Sequence, residues 1–252
     1  MIGPRPRPDG APTIGLPVPA RVLAVDAHPD DVEFGCGATL AKWARAGAEV
    51  HLLVLTDGSK GTWDPTADPI ALAAERTAEQ EAARVALGAV AIHHLGAVDG
   101  ELHEGPELRE QVCAVIRATC PDVLLTHDPW RPYRLHPDHR HGGFLVLDAV
   151  VAARDPHFFP GQDDPPHRPE VVLLFEPGEV HHLEPVGPDD LAAREAALLA
   201  HRSQWRSTMG IDGPDDDAGR RTFVERLRAG SAAFGAPAGL TAAEGFARIA
   251  EV

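Results

Sequence analysis

The sequence predicts an α/β fold, a Rossmann-like three-layer sandwich with a mostly parallel central sheet, and three observations carry that reading. Short runs rich in Val, Leu and Ile alternate with longer amphipathic stretches, the order of βαβ units. Those runs are apolar almost throughout, as strands covered on both faces should be. The 252 residues are enough for one sizeable core.

Residues 1–20 hold six prolines and no continuous apolar stretch, and predict an extended leader before a single domain spanning 21–252. "RVLAV" (21–25) is the first strand and "GATLAKWARAGA" (37–48) the first helix, with Gly47 placed as a C-terminal cap. "VHLLVLT" (50–56) leads to a helix over "LAAERTAEQEAARVALGA" (72–89), which Gly88 closes. "AIHHL" (91–95), "DVLLT" (122–126) and "VVLLF" (171–175) are further strands. Helices over "PELREQVCAVIRATC" (106–120) and "RHGGFLVLDAVVAAR" (140–154) separate them. Beyond residue 155 the pattern loosens. "DPHFFPGQDDPPHRP" (155–169) is a Pro-rich loop expected to act as a lid. "PDDLAAREAALLAHRSQW" (188–205) is a helix with Asp189 or Asp190 near its N-cap. "GIDGPDDDAGRR" (210–221) reads as a solvated acidic turn region, and "LTAAEGFARIAEV" (240–252) as a closing strand or helix.

Composition excludes several classes of function. A formal net charge of −15 repels phosphate backbones, so neither nucleic acid nor an anionic membrane surface is an expected partner. No apolar run reaches the roughly 18 residues of a spanning helix. Cys36, Cys113 and Cys120 are an odd count without a CxxC pair, which disfavours a disulfide framework and points to the cytoplasm.

In open parallel sheets reactive groups gather at the carboxyl ends of strands. The loops that follow the first four strands contain "DAHPDD", "DGSKG", "GAVDGEL" and "HDPWRPYRLHPDHRHGG", a large share of the histidines and aspartates. Within them a pattern occurs twice, His28-Pro29-Asp30-Asp31 and His136-Pro137-Asp138-His139. His28 and Asp31, like His136 and His139, are three apart and can share one face of a first helical turn. Proline after each histidine suits that turn, where its missing N–H costs nothing. Histidine nitrogens with a carboxylate oxygen form the donor set of a catalytic zinc, which keeps a fourth position open. Asp30 neighbours Asp31 but must point elsewhere, which lets the pair divide metal binding from proton transfer. A protonated His136 would stabilise an oxyanion, and Asp138 would orient its ring. His127 and Asp128 are expected to back the site, and Asp57 and Gly58 to shape a neighbouring loop. Trp63 and Trp130 could offer stacking faces to a sugar or could serve packing alone.

"AHPDDVEFGCGATLAK", "TDGSKG", "AERTAEQEAARVALGA", "VDGEL" and "HPDHR", with the later "LLLFE", "AHRSQW" and "AEGFARI", resemble the LmbE-like, or PIG-L, family of zinc-dependent N-deacetylases. The resemblance runs from about residue 21 to the C-terminus. It implies removal of an N-acetyl group from an N-acetylglucosamine-type sugar or glycoside conjugate. By position it implies His28, Asp31 and His139 as metal ligands, Asp30 as general base, and His136 as electrophilic or acid partner tuned by Asp138. Arg76 then contacts sugar hydroxyls and Asp99 lines the same pocket. The implied cofactor is Zn2+, with Fe2+ able to occupy the same ligands. The implied partner is a small N-acyl sugar, and assembly into a homo-oligomer stays open. Tyr133 stands one residue further from the HPDH motif than the mobile tyrosine of some members. Two alternatives use the same residues: an amidase cleaving a larger acyl group from a sugar–thiol conjugate, and a non-catalytic metal- or nucleotide-binding module. The second lacks support, because "GCGATL" is not a GxGxxG fingerprint.

Overall fold

The computed structural model describes residues 11–250 and 252. Half of the proline-rich stretch expected as a leader thus lies outside the described residues. Of the rest, Thr13–Ile14 (β1) joins the sheet edge, where Thr13 N donates to His181 O.

Strands β2 (Arg21–Asp26), β3 (Glu49–Thr56), β4 (Ala91–Ala97), β5 (Val123–His127) and β6 (Val171–Phe175) are parallel, as their apolar runs predict. β7 (His182–Pro185), which the sequence reading does not include, and β8 (Ala243–Ala250) extend them. The order is β1-β7-β8-β6-β5-β2-β3-β4, and β8 runs antiparallel between β6 and β7. The C-terminal segment, expected as either strand or helix, is therefore a strand.

Among the described residues six α-helices cover the faces: α1 (Asp31–Arg45), α2 (Pro69–Leu87), α3 (Pro106–Thr119), α4 (Pro137–Arg154), α5 (Pro188–Ala200) and α6 (Asp217–Gly235). Successive β2 residues divide between two cores, as the two-residue period of a strand requires. Val22 and Ala24 pack with Leu40 and Trp43 of α1, Leu87 of α2 and Ala197 of α5. Leu23 and Val25 pack with Ile116 of α3 and Val146 of α4. Three layers follow.

Local chemistry sets the helix ends. Asp68 accepts from Ile70 N before Pro69 opens α2, and Gly88 closes it at φ 76°. Asp190 accepts from Gly187 N at the start of α5, which fulfils one of the two alternatives for that cap. α6 departs from expectation, because Asp216 of the acidic turn accepts from Gly219 N and begins a long helix. Its apolar stripe is thin, with only Phe223, Ser231 and Gly235 buried, so periodicity in the sequence is weak there.

The 155–169 loop is not a lid. α4 starts at the catalytic edge and its 18 residues carry the chain about 27 Å away. At that far end the Arg117 guanidinium donates to the carbonyls of Ala152, Ala153, Asp155 and Phe158, and His167 N donates to Ala153 O. From β2 the chain goes outward through β3 to β4, then returns to β5 on the other side. That reversal is the switch point at which open α/β sheets bind ligands. No helix among the described residues is long and apolar enough to cross a membrane.

Candidate metal centre and active site

α1 begins at Asp31, six residues earlier than its amphipathic pattern suggests. His28, Pro29 and Asp30 form the turn that feeds it from β2. Asp30 sits there at φ 97°, a left-handed conformation costing a non-glycine residue about 1–2 kcal/mol. Gln80 Oε1 accepts from Asp30 N at 3.0 Å, and Gln80 Nε2 donates to Glu33 Oε1 at 2.7 Å, which holds the turn from α2. The strained turn sends the two aspartates apart, as their adjacency required. Such strain concentrates at functional sites.

Asp31 points to the histidines. His28 Nδ1 lies 3.2 Å from Asp31 Oδ2, and His139 Nε2 lies 3.3 Å from both His28 Nδ1 and Asp31 Oδ1. Donor atoms held about 2.1 Å from a tetrahedral ion are about 3.4 Å apart. The triangle therefore fits a metal ion in size.

Among the described residues three overlapping groups come within 4.8 Å: His28 with His136 and His139, Asp31 with His127 and His139, and His28 with Asp99 and Asp138. Proton accounting separates them. His28 Nε2 faces Asp138 Oδ2 and Asp99 Oδ1, both at 3.2 Å. Carboxylates only accept, so Nε2 carries the hydrogen and Nδ1 keeps its lone pair for a metal. His127 is the reverse case. Arg134 Nη1 donates to its Nδ1 at 2.8 Å, so the Nε2–H faces Asp31 Oδ2 at 3.2 Å, nearer than Ala27 N at 3.4 Å. Its ring stacks 4.3 Å from His139 but has no lone pair to give a metal. Burial lowers His127 to about 4, so it stays neutral.

The charges agree. Burial opposes protonation of His28, yet Asp138, Asp31 and Asp99 raise it well above the ordinary imidazole value. Burial also opposes ionisation of Asp31, but His139 and His127 hold it well below the usual carboxylate range. The carboxylates of Asp31, Asp99 and Asp138 thus favour positive charge at this point of the site.

Asp30 is tuned differently. Burial pushes its carboxyl up to about 7, against Arg76. Arg76 Nη2 lies 3.7 Å from Asp30 Oδ2, and its guanidinium also donates to Pro29 O and Gly58 O. Gly58 and Gly61 leave room for it, since a Cβ there would come within 2.8 and 2.3 Å of Arg76 Nη1. Arg76 lines the cavity and ties the turn at Pro29 to the loop at Gly58 through one hydrogen bond to each.

Two placements revise expectations for the second motif. Asp138 does not orient His136. Its buried carboxylate accepts from Gly100 N and Leu102 N and faces His28 Nε2, because as the second residue of α4 it points toward the β4–α3 loop. His136 is the N-cap of α4, its ring 4.6 Å from His28 and 4.8 Å from His139. Burial, then His28 and His139, lower its pKa and favour the neutral ring over the protonated form.

A cavity of about 590 Å³ opens over these groups, lined by His28, Asp30, Asp31, Arg76, Asp99, His136 and His139. Lys60, Phe34, Glu176, Gln204 and Thr208 also line it and were not singled out in the sequence. One signal for part of this was available: Arg76, Glu79 and Gln80 lie at the spacing of a single helical face and are all buried. Glu79 accepts from Ser203, and Gln204 Nε2 donates to Gly61 O, so this polar face ties the late segment to the site. Asp57 Oδ1 accepts from Ser59 N and Asp99 N and shapes its loop as expected. Trp63, Trp130 and Tyr133 are exposed and stand outside the cavity lining.

Residues 23–150 match the family described as PIG-L, GlcNAc-PI de-N-acetylase. The chain belongs to the PIG-L family. Members of this family are metal-dependent deacetylases. The diacetylchitobiose deacetylase of Thermococcus kodakarensis is 36% identical over 190 residues, 73% of this chain and 70% of that one. The 1D-myo-inositol 2-acetamido-2-deoxy-alpha-D-glucopyranoside deacetylase of Streptomyces avermitilis is 32% identical over 215 residues, 72% of this chain and 68% of that one. The structure of N,N'-diacetylchitobiose deacetylase from Pyrococcus horikoshii superposes with a TM-score of 0.81 at 30% identity, covering 92% of this chain and 84% of that one.

Proposed function

We propose that the protein is a zinc-dependent N-deacetylase that hydrolyses the N-acetyl group of an N-acetylglucosamine-type sugar or glycoside conjugate. The observation that carries the reading is the triangle of His28 Nδ1, Asp31 and His139 Nε2 beside a carboxyl, Asp30, pushed up to about 7. The relatives act on N-acetylated amino sugars, which supports the substrate class.

His28, Asp31 and His139 would hold the ion; two nitrogens and a carboxylate suit zinc, and ferrous iron takes the same donors. When bound, such an ion supplies Lewis-acid activation of water and of the acyl carbonyl. Asp30, partly ionised near neutral pH, takes the proton of the attacking water. Arg76 keeps its carboxylate charged and aimed. His136, as a neutral N–H donor at the cavity wall, stabilises the developing oxyanion. Because His136 is biased to neutral, Asp30 returns the proton to the departing amine. Asp99 and Arg76 line the space for the sugar.

The test is amine release from a panel of N-acetyl sugars and glycosides with zinc or iron added, beside metal content by elemental analysis. Asp30→Ala should keep metal and lose about 10²–10⁴-fold in turnover, while His139→Ala should lose metal. Equal activity in wild type and Asp30→Ala would overturn the mechanism. No turnover of any substrate would favour a non-catalytic binding module.

A further inference from the structure

Behind the turn that carries Asp30, two buried polar groups face each other with no hydrogen bond between them. The imidazole of His201, the residue after α5, is 0% exposed, and among the described residues neither ring nitrogen has a hydrogen-bond partner. Its Nε2 lies 3.9 Å from Glu33 Oε2, a buried oxygen likewise without one. Polar groups sealed from water in this way are costly, and each calls for an explanation. We propose that His201 is a positioning residue for Asp30, acting through Glu33 and Gln80. This role rests on the deacetylase reading, in which Asp30 takes the proton of the attacking water.

The path is a chain of three contacts. His201 Nε2 faces Glu33 Oε2, Gln80 Nε2 donates to Glu33 Oε1 at 2.7 Å, and Gln80 Oε1 accepts from Asp30 N at 3.0 Å. Each step has a fixed sense. Asp30 N only donates, so the Gln80 amide must present its oxygen there and its NH2 group to Glu33. Glu33 must therefore accept, as a carboxylate does. Turned the other way round, Gln80 would set a donor against a donor and release a backbone held at φ 97°. Such a conformation persists only where its surroundings over-determine it.

A carboxylate that accepts inside the protein needs an opposite charge. Among the described residues the ion pair of Glu33 is with His201. Arg194 also reaches Glu33, but at its main-chain oxygen. Burial opposes protonation of His201, yet Glu33, Asp30 and Glu79 raise it above the ordinary imidazole value, so the ring suits the task. His201 is outside the lining of the catalytic cavity and does not meet substrate. The chain around it is pinned as well. His201 N donates to Leu198 O, and Ser203 donates to Glu79, the neighbour of Gln80 on α2. Loss of the imidazole leaves the Glu33 charge unpaired. The carboxylate relieves that cost by shifting, Gln80 follows, and Asp30 loses the acceptor of its N–H.

The experiment compares metal-loaded wild type with His201→Leu, Gln80→Met and the double variant His201→Leu/Glu33→Gln. Leucine fills the space of the ring without its charge. The measurements are kcat and KM for N,N'-diacetylchitobiose, zinc content, and amide hydrogen exchange by NMR at Asp30 and at Leu124 in central β5. His201→Leu and Gln80→Met should lower kcat about 10–100-fold with KM and zinc content unchanged. The Asp30 amide should exchange faster while Leu124 keeps its protection. Glu33→Gln should restore most of both in the double variant, because a neutral amide oxygen accepts from Gln80 without an opposite charge. A side chain that only fills space would not be rescued in this way. An unchanged kcat in His201→Leu, an Asp30 amide as protected as in wild type, or a loss that Glu33→Gln does not restore would overturn the positioning role. Should His201→Leu not fold, His201→Asn is read by the same measures. If wild type turns over no N-acetyl sugar, the deacetylase reading falls, and the Asp30 amide alone decides. Faster exchange in His201→Leu that the double variant reverses supports the positioning chain, and unchanged exchange overturns it.

Discussion

The two His-Pro-Asp motifs look like repeats, yet they enter their helices in different phase. In the first, the helix waits until the fourth residue, and the third, Asp30, is forced to φ 97° as its N-cap. In the second, the helix begins at Pro137, and His136 caps it at an unstrained φ of −64°. A shift of two residues in the helix start reassigns every side chain. Asp31 falls in the first helical turn and faces His28 and His139, and Asp30 is left outside the helix with its carboxyl turned elsewhere. Asp138, the counterpart of Asp30, turns inward and backs His28 across the site. Similar tetrapeptides thus contribute different chemistry because the backbone, not the residue list, decides direction.

Asp138→Asn tests the largest consequence. If Asp138 fixes the His28 tautomer, metal affinity should drop about 10–100-fold in a chelator competition. A fall in turnover with unchanged metal affinity would instead return Asp138 to His136 and restore the symmetry of the motifs.

Arg76→Met tests how the first motif is tuned. Protonated Asp30 cannot act as base, so activity should fall below about pH 7. Arg76 lowers the Asp30 pKa, so its loss should move that acid limb to higher pH. A limb that stays in place would show that another group sets it.

Asp30→Gly tests the smallest effect. Glycine accepts φ 97° without penalty, so relief of about 1 kcal/mol should raise Tm by about 2–4 °C while activity disappears. Asp30 has its pKa raised on folding, so the folded state binds the extra proton and stability is lost as pH rises from 3.8 toward about 7. The Tm gain should therefore be larger at pH 8 than at pH 4. No gain at either pH would show that the turn carries no strain.

The sequence reveals most where one residue's environment follows from its neighbours in the chain. The central parallel strands β2, β5 and β6 are legible because burial on both faces leaves mostly apolar runs such as "VVLLF". The residues brought to the triangle are legible because short motifs fall at strand ends. What depends on partners far along the chain is not. The neutrality of His136, the tie from Asp138 to His28 and the proton on His127 Nε2 all come from contacts across the sheet edge. α6 hides because its helix is mostly solvated, and the 155–169 loop misleads because proline content says nothing of which end of a helix it joins.

The insertion of β8 also orders the assembly of the molecule. β6 and β7 do not pair with each other; each pairs with β8, which is made after both. β1, near the other end of the described chain, takes its strand pairing from β7. The strands around the metal site can pair early, while this flank requires long-range closure, the slow kind of contact. Glu244, which accepts from Ala38 N and Thr39 N of α1, lies on β8. Pairing of the strands that carry the candidate site thus precedes the closure that completes this flank of the sheet.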